Sequence, residues 1–480
     1  MNNQQENPST DGQKQTPEGP IDLGKHALEV GREAIQDAID ATVTTEVDGA
    51  KLIEEATVKT TKKARKFWHI LGPGLVTGAA DDDPSGVATY SQTGAQYGFK
   101  LLWFAPLTLP LMGAIQEMCA RIGLVTGRGL ASNIKRFFPR WVLLLTAFLL
   151  LVANTFNIGA DLGALAKTTQ LLAPTWPFWA LVIGFTLLSL LMQIFISYQK
   201  YAGVLKYLAI TLVVYIITAF VIKGFPWAEA LRNSVIPQLD FSKEQIILIC
   251  GILGTTISPY LFFWQTSQEV EEQILDGDTT IASREGTTKK EMKKMRLDNW
   301  SGMIFSNVVT FFIIAVCAAT LFKGGITNIA SAADAAKALE PLAGKYASLL
   351  FTIGIFGTGL LGIPVLAGSA AYAISEAFGW KEGLYRRFAQ AGAFYGVIIL
   401  SMGVGLLINF IGLDPIKALI YSAVTNGLVA PVVMILIVLL ASNKKVMGEW
   451  NSSWISKTIG WVATGVMVIA GIATIYSLFF

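Results

Sequence analysis

The chain has 480 residues, 53% hydrophobic and 15% charged, with a mean hydropathy of +0.52 and a formal net charge of +3. An ordinary soluble domain carries about 25% charged residues, so this composition excludes a soluble globular protein and marks a polytopic helical membrane protein. Cys119, Cys250 and Cys317 form no framework and read as buried thiols, and two histidines, His26 and His69, exclude a histidine metal site or proton relay in the apolar core.

In chain order, residues 1–66 come first as a cytosolic polar and amphipathic segment ending in the basic run "KTTKKARK", with no signal peptide recognised ahead of the first span. A transporter-like domain over 67–480 follows. Its eleven predicted spans are roughly 67–97, 101–125, 140–172, 177–198, 201–223, 244–268, 297–322, 346–376, 388–411, 414–441 and 455–479. Two five-span repeats, about 67–223 and 244–441, are inverted relative to each other because each holds an odd number of spans; the span 455–479 is extra. Arg128, Lys135, Arg136, Lys200, Lys206, Lys289, Lys290, Arg386, Arg387, Lys444 and Lys445 all fall on one side if the N-terminus is cytosolic, while the loop "LLAPTWP" on the other side is uncharged.

The first span contains "GAADDDPSGVATYS", three aspartates before Pro84 and Gly86. The sixth is interrupted at Ser258-Pro259 within "GILGTTISPYLFFWQ". Interrupted segments at matched places in two halves point to a transporter's midplane site. A half-helix ending near Asp83 leaves free carbonyls and a negative dipole end. Carboxylates there have the wrong sign for the helix, no Lys or Arg is adjacent, and a bound cation offsets both; a basic residue from a distant span is the alternative. The predicted ligands are all oxygens: the carboxylates of Asp83 and Asp82, the Ser258 hydroxyl, and carbonyls near Ala80 and Thr255. Such a set suits Mg²⁺, Ca²⁺ or Mn²⁺ rather than iron, copper or zinc. Ser258 could instead cap the half-helix after it. Asn154, Asn157 and Asp161 share one face of the third span, lining an ion path or bonding a neighbouring helix. Asn426 offers an amide oxygen or serves packing. Glu269, Glu271 and Glu272 read as a solvated acidic patch.

At these residues the sequence resembles the Nramp metal-ion transporters. "GPGLVTGAADDDPSG" is similar to the family's first helix, whose hallmark is Asp-Pro-Gly-Asn, and "GTTISPYLFFWQ" to its sixth, whose hallmark is Met-Pro-His. "ARIGLVTGRGLASNIKRFFPRWV" resembles its second-to-third helix connection. The resemblance covers nearly all of the chain from Phe67 and implies an all-α LeuT-type fold with the first and sixth helices broken. It assigns Asp83 to the metal-binding Asp-Pro, and it places Gly86 at the asparagine, Ser258 at the methionine, Tyr260 and Gln265 at two histidines, and Asp161 at an acidic residue. Ala164 and Ala423 stand where the family has a glutamate and often a glutamine. Loss of the thioether and of both histidines resembles the family's magnesium-carrying branch, in which Gly86 would leave room for a hydrated ion.

The expectation is therefore a secondary transporter, not an enzyme, in a bacterial plasma membrane. It would take up Mg²⁺, with Mn²⁺ as a further cargo, by alternating access and without proton coupling. No GxxxxGK[ST] segment occurs, so the ion gradient and membrane potential supply the energy. No cofactor and no nucleic-acid partner are expected, and the chain is expected to act as a monomer in the bilayer. The alternatives are a proton-coupled Mn²⁺ transporter of the family, a Na⁺-dependent amino-acid symporter of the same fold, and a non-transporting metal sensor.

Overall fold

The computed structural model describes residues 72–196 and 209–479. The predicted segment 1–66, the opening of the first span with His69, and Lys200 and Lys206 lie outside the described residues.

Helix follows helix along the chain. The first span is two pieces, α1 (Pro73–Asp81) and α2 (Pro84–Tyr97), followed by α3 (Phe104–Thr126), a short α4 (Leu130–Phe137), α5 (Arg140–Leu172) and α6 (Phe178–Phe195). The fifth span contributes α7 (Val213–Val221), and a short α8 (Trp227–Asn233) leads to the broken sixth, α9 (Lys243–Thr256) and α10 (Pro259–Leu275). The rest are α11 (Lys289–Cys317), α12 (Ala347–Phe378), α13 (Gly392–Ile408), α14 (Pro415–Ser442) and α15 (Trp454–Phe479). Among the described residues, seven stretches are long and apolar enough to cross a membrane, α9 and α10 counting as one. Large side chains such as Trp141, Phe148, Leu191, Leu407 and Phe479 are exposed on the outside, an apolar girdle that lipid rather than water satisfies.

Both breaks have the same cause. Proline has no N–H, and its ring drives the preceding residue out of the helical region. Asp83 accordingly sits at φ −64°, ψ 174° before Pro84, and Ser258 at φ −81°, ψ 131° before Pro259. The breaks therefore recur at matched positions of the two repeats. Packing follows the repeats too. Helices α1 and α3 each pack on both α10 and α11; α5, α6, α12 and α13 form a second group; α14 touches both α9 and α5. This is the LeuT-type arrangement.

The first group is held by an exceptionally close approach. Gly78 faces Gly302 so tightly that a Cβ on it would lie 2.2 Å from the Gly302 carbonyl oxygen. The N-terminus of α1 has no cap of its own. Asp298 of α11 supplies one, accepting from Gly72 N at 2.7 Å, Gly74 N at 2.7 Å and Leu75 N at 3.3 Å. A carboxylate is the right sign for that dipole end. Asp298→Ala leaves those amides without an acceptor and is expected to lower stability by roughly 2 kcal/mol, read as a drop in the thermal unfolding midpoint in detergent. An unchanged midpoint would show that this anchor carries no stability.

Candidate cation site

The break in the first span divides the three aspartates between two helix ends. Asp81 is the last residue of α1 and Asp82 its C-cap, whereas Asp83 is the N-cap of α2. All three are fully buried. The wrong-sign argument thus applies to Asp81 and Asp82 and not to Asp83, which faces the positive end of α2. The half-helix does end beside Asp83, as expected, but Asp83 itself caps the next one.

Asp83 is fully engaged with protein donors. Its Oδ1 accepts from Ser85 Oγ at 2.6 Å and from Gly86 N at 2.8 Å. Its Oδ2 accepts from Asn157 Nδ2 at 2.9 Å and from Tyr260 Oη at 3.3 Å. Asn157 in turn accepts from Ser422 Oγ of α14 at 2.8 Å. Tyr260 also donates to the Ala80 carbonyl at 2.8 Å, the carbonyl that the break leaves free. One carboxylate therefore ties α2, α5 and α10 together, and α14 through Asn157. Helix α12 presses on it as well, since a Cβ on Gly362 would lie 2.9 Å from Asp83 Cβ.

Asp161 lies nearby, with Oδ2 3.7 Å from that same Gly362 position. It is fully buried, and neither carboxylate oxygen has a hydrogen-bond partner. Among the described residues, the recorded ion pairs join Glu117, Glu285 and Asp334 to basic side chains, and none reaches these four acids. Four buried carboxylates without a basic partner are costly at membrane depth. A cation, or protons on the carboxyls, would offset that cost.

Several predicted residues sit differently from expectation. Ser258 does not cap α10; its hydroxyl turns back to donate to the Gly254 carbonyl at 2.8 Å and the Thr255 carbonyl at 2.7 Å. The carbonyl at Thr255 is thus met by Ser258, while the Thr255 hydroxyl is buried with no partner. Gly86 does not open a roomy pocket in this conformation. A Cβ there would lie 2.9 Å from Thr255 Oγ1 and 3.1 Å from the Asp81 carbonyl, so the missing side chain lets the two broken helices close on each other. Asn426 is fully buried with both amide atoms unpartnered. It sits beside Gly427, which packs against Gly254 of α9.

Gln265 lies one level away. It accepts from Thr77 of α1 and donates to Glu269 Oε1 at 2.8 Å, linking the two broken helices. Asn154 does not face the ion path; it donates to the Leu366 carbonyl at 2.9 Å and to Ser369 Oγ at 2.8 Å. Glu269 and Glu271 are buried rather than solvated. Glu271 accepts from the backbone of Leu384 at 2.6 Å and Tyr385 at 3.1 Å. In the loop after α12, burial and the neighbouring Glu376 and Glu271 push the Glu382 carboxyl well above the usual range. An acidic vestibule of about 410 Å³ opens at the start of α1, lined by Glu269, Glu272, Asp276, Asp278, Glu291 and Asp298 among others.

Ser85, Tyr90, Ser306, Thr310 and Ser422 were not found from sequence. Ser306 and Thr310 are four apart on α11, the spacing of one helix face, and that signal could have found them.

Comparison with known proteins adds a family. The profile described as "Natural resistance-associated macrophage protein-like" (Nramp) matches residues 74–477. A divalent metal cation transporter MntH from Caldanaerobacter subterraneus subsp. tengcongensis is 27% identical over 418 residues, covering 85% of this chain and 93% of the relative. The MntH of Deinococcus radiodurans is 25% identical over 411 residues, covering 84% and 88%. Among solved structures, the manganese transporter of Eremococcus coleocola superposes with a TM-score of 0.65 at 17% identity, over 85% of this chain and 86% of that one.

Proposed function

The chain is a multi-pass membrane transporter of the Nramp family, not an enzyme, and from that premise we propose that its cargo is a divalent metal cation held where the two broken helices meet. The carrying observation is the set of four buried acids, Asp81, Asp82, Asp83 and Asp161, with no recorded ion pair to any of them. Asp83 is the central residue of the site, Asn157 and Tyr260 fix its orientation, and Gln265 with Thr77 couples the half-helices as the site changes access. The membrane potential drives the ion inward, worth about 4.6 kcal/mol for two charges at 100 mV. The membrane is a bacterial plasma membrane, with the N-terminus cytosolic.

Mn²⁺ is the first candidate, because relatives named as divalent metal cation and manganese transporters share the chain's length and fold. Mg²⁺ is a second cargo, favoured by Ser258 at the resembling methionine position and by a neighbourhood rich in oxygen donors. An amino-acid symporter is disfavoured, since the buried acids would repel a substrate carboxylate. Tyr260 and Gln265 replace the resembling histidines, which favours transport uncoupled from protons.

Liposomes loaded with metal indicators and a pH dye test this. Mn²⁺ influx that follows an imposed potential, is slowed by Mg²⁺ and leaves internal pH unchanged is the expected result. Absence of influx for both ions would overturn the cargo, and acidification in step with Mn²⁺ would overturn uncoupled transport. Ser258→Met restores a soft donor and is expected to raise sensitivity to Cd²⁺ relative to Mg²⁺ by roughly tenfold. An unchanged Cd²⁺ inhibition curve would place Ser258 away from the ion.

A further inference from the structure

We propose that Asp81 and Asp82 hold a second divalent cation, separate from Asp83, in a chamber walled by Ser306 and Thr310 of α11, Tyr90 of α2 and Thr255 of α9. Asp81 and Asp82 stand at the C-terminal end of α1, where the helix dipole adds to their negative charge. Among the described residues, Ser306 and Thr310 are the side chains that hydrogen-bond them. Ser306 Oγ donates to Asp81 Oδ2 at 2.8 Å, and Thr310 Oγ1 to Asp82 Oδ1 at 3.4 Å. The other oxygen of each carboxylate, Asp81 Oδ1 and Asp82 Oδ2, is buried with no partner.

The same is true of two hydroxyls that face this point from other helices. The Tyr90 hydroxyl lies near the Asp81 and Asp82 carboxylates and the Thr310 and Thr255 hydroxyls. Tyr90 Oη and Thr255 Oγ1 are both buried and close to each other, yet neither meets a partner with good hydrogen-bond geometry. Gly86 permits the convergence, because a Cβ on it would meet Thr255 Oγ1 at 2.9 Å and the Tyr90 ring at 3.4 Å.

Two protons could neutralise the acids instead. A protonated carboxyl places its hydrogen on an acceptor at about 2.5–3.0 Å, a place that Ser306 at 2.8 Å can fill for Asp81, so the test below separates proton release from ion binding. Two carboxylates with surrounding hydroxyls make an oxygen set for a hard cation such as Mg²⁺ or Mn²⁺. Among the described residues no three Asp, Glu, His or Cys side chains converge as a ready metal site. The chamber differs in kind, because hydroxyls from α2, α9 and α11 complete it.

The test is Mn²⁺ binding to the full-length protein in detergent, followed by the loss of free Mn²⁺ signal in electron paramagnetic resonance, with liposome uptake measured in parallel. The wild type is expected to take up two equivalents. Asp83→Asn is expected to keep one, and Asp81→Asn with Asp82→Asn to keep the other. Because the double variant alters two buried groups at a helix end, Ser306→Ala with Thr310→Val serves as the milder change, expected to weaken one equivalent at least tenfold. A single equivalent in wild type that Asp83→Asn removes would overturn the proposal, as would two unaltered equivalents in the α11 variant. Unaltered Mn²⁺ binding with a changed proton-release curve in the α11 variant would assign the chamber to protons and also overturn it. If wild type binds two equivalents but passes no ion, the transport reading fails and this site stands.

Discussion

Asp83→Asn is expected to reduce divalent-cation uptake at least roughly a hundredfold while leaving a folded protein. The carboxylate accepts four hydrogen bonds, from Ser85, Gly86, Asn157 and Tyr260. An amide keeps one acceptor oxygen but turns a donor toward two of those four donors. Removing the charge also removes the group at the meeting point of the half-helices. A hundredfold loss corresponds to about 2.8 kcal/mol of ion binding, a size that one formal charge lost in a low-dielectric site can supply. Asp83→Ala takes away the cap of α2 as well and is expected to lower the unfolding midpoint in addition to the flux. Uptake in liposomes, with size-exclusion profiles beside it, separates the two effects. Full retention of uptake by Asp83→Asn would move the site elsewhere.

Gly302→Ala is expected to be as severe, through packing rather than chemistry. A Cβ there would lie 2.0 Å from the Gly74 carbonyl oxygen, so backbone meets backbone and no side chain can step aside. Overpacking costs about 1–3 kcal/mol where side chains adjust; here α1 itself must move off α11. That shift would withdraw Asp298 from the amides of Gly72, Gly74 and Leu75 and carry Asp81 away from Ser306. The expected outcome is little monodisperse protein and no uptake from what remains. Wild-type yield and melting behaviour would show that α1 and α11 do not make this contact.

The broken helices were legible because proline acts locally. Pro84 and Pro259 force the same departure from helical backbone whatever surrounds them, and their matched places in two repeats point to the fold. The resemblance of "GPGLVTGAADDDPSG" and "GTTISPYLFFWQ" to the Nramp motifs points to the family that the match over residues 74–477 establishes. The division of labour among the three aspartates was not legible. One residue decides whether a carboxylate caps the incoming helix or burdens the outgoing one, and a hydropathy pattern does not fix a boundary that finely. Ser306 and Thr310 come from α11, more than two hundred residues away, so only the packing of α1 on α11 brings them to Asp81 and Asp82. Gly86 was misjudged for a related reason. A missing side chain reads as added room in one dimension, whereas in the fold it is the space into which Thr255 and Tyr90 have already moved.

The most direct measurement is anomalous scattering from Mn²⁺ in crystals of the wild-type protein. A peak at Asp83 beside Tyr260, where the two broken helices meet, is the result this account requires. Mn²⁺ found only in the acidic vestibule around Glu272 and Asp276, with none at the break, would contradict it.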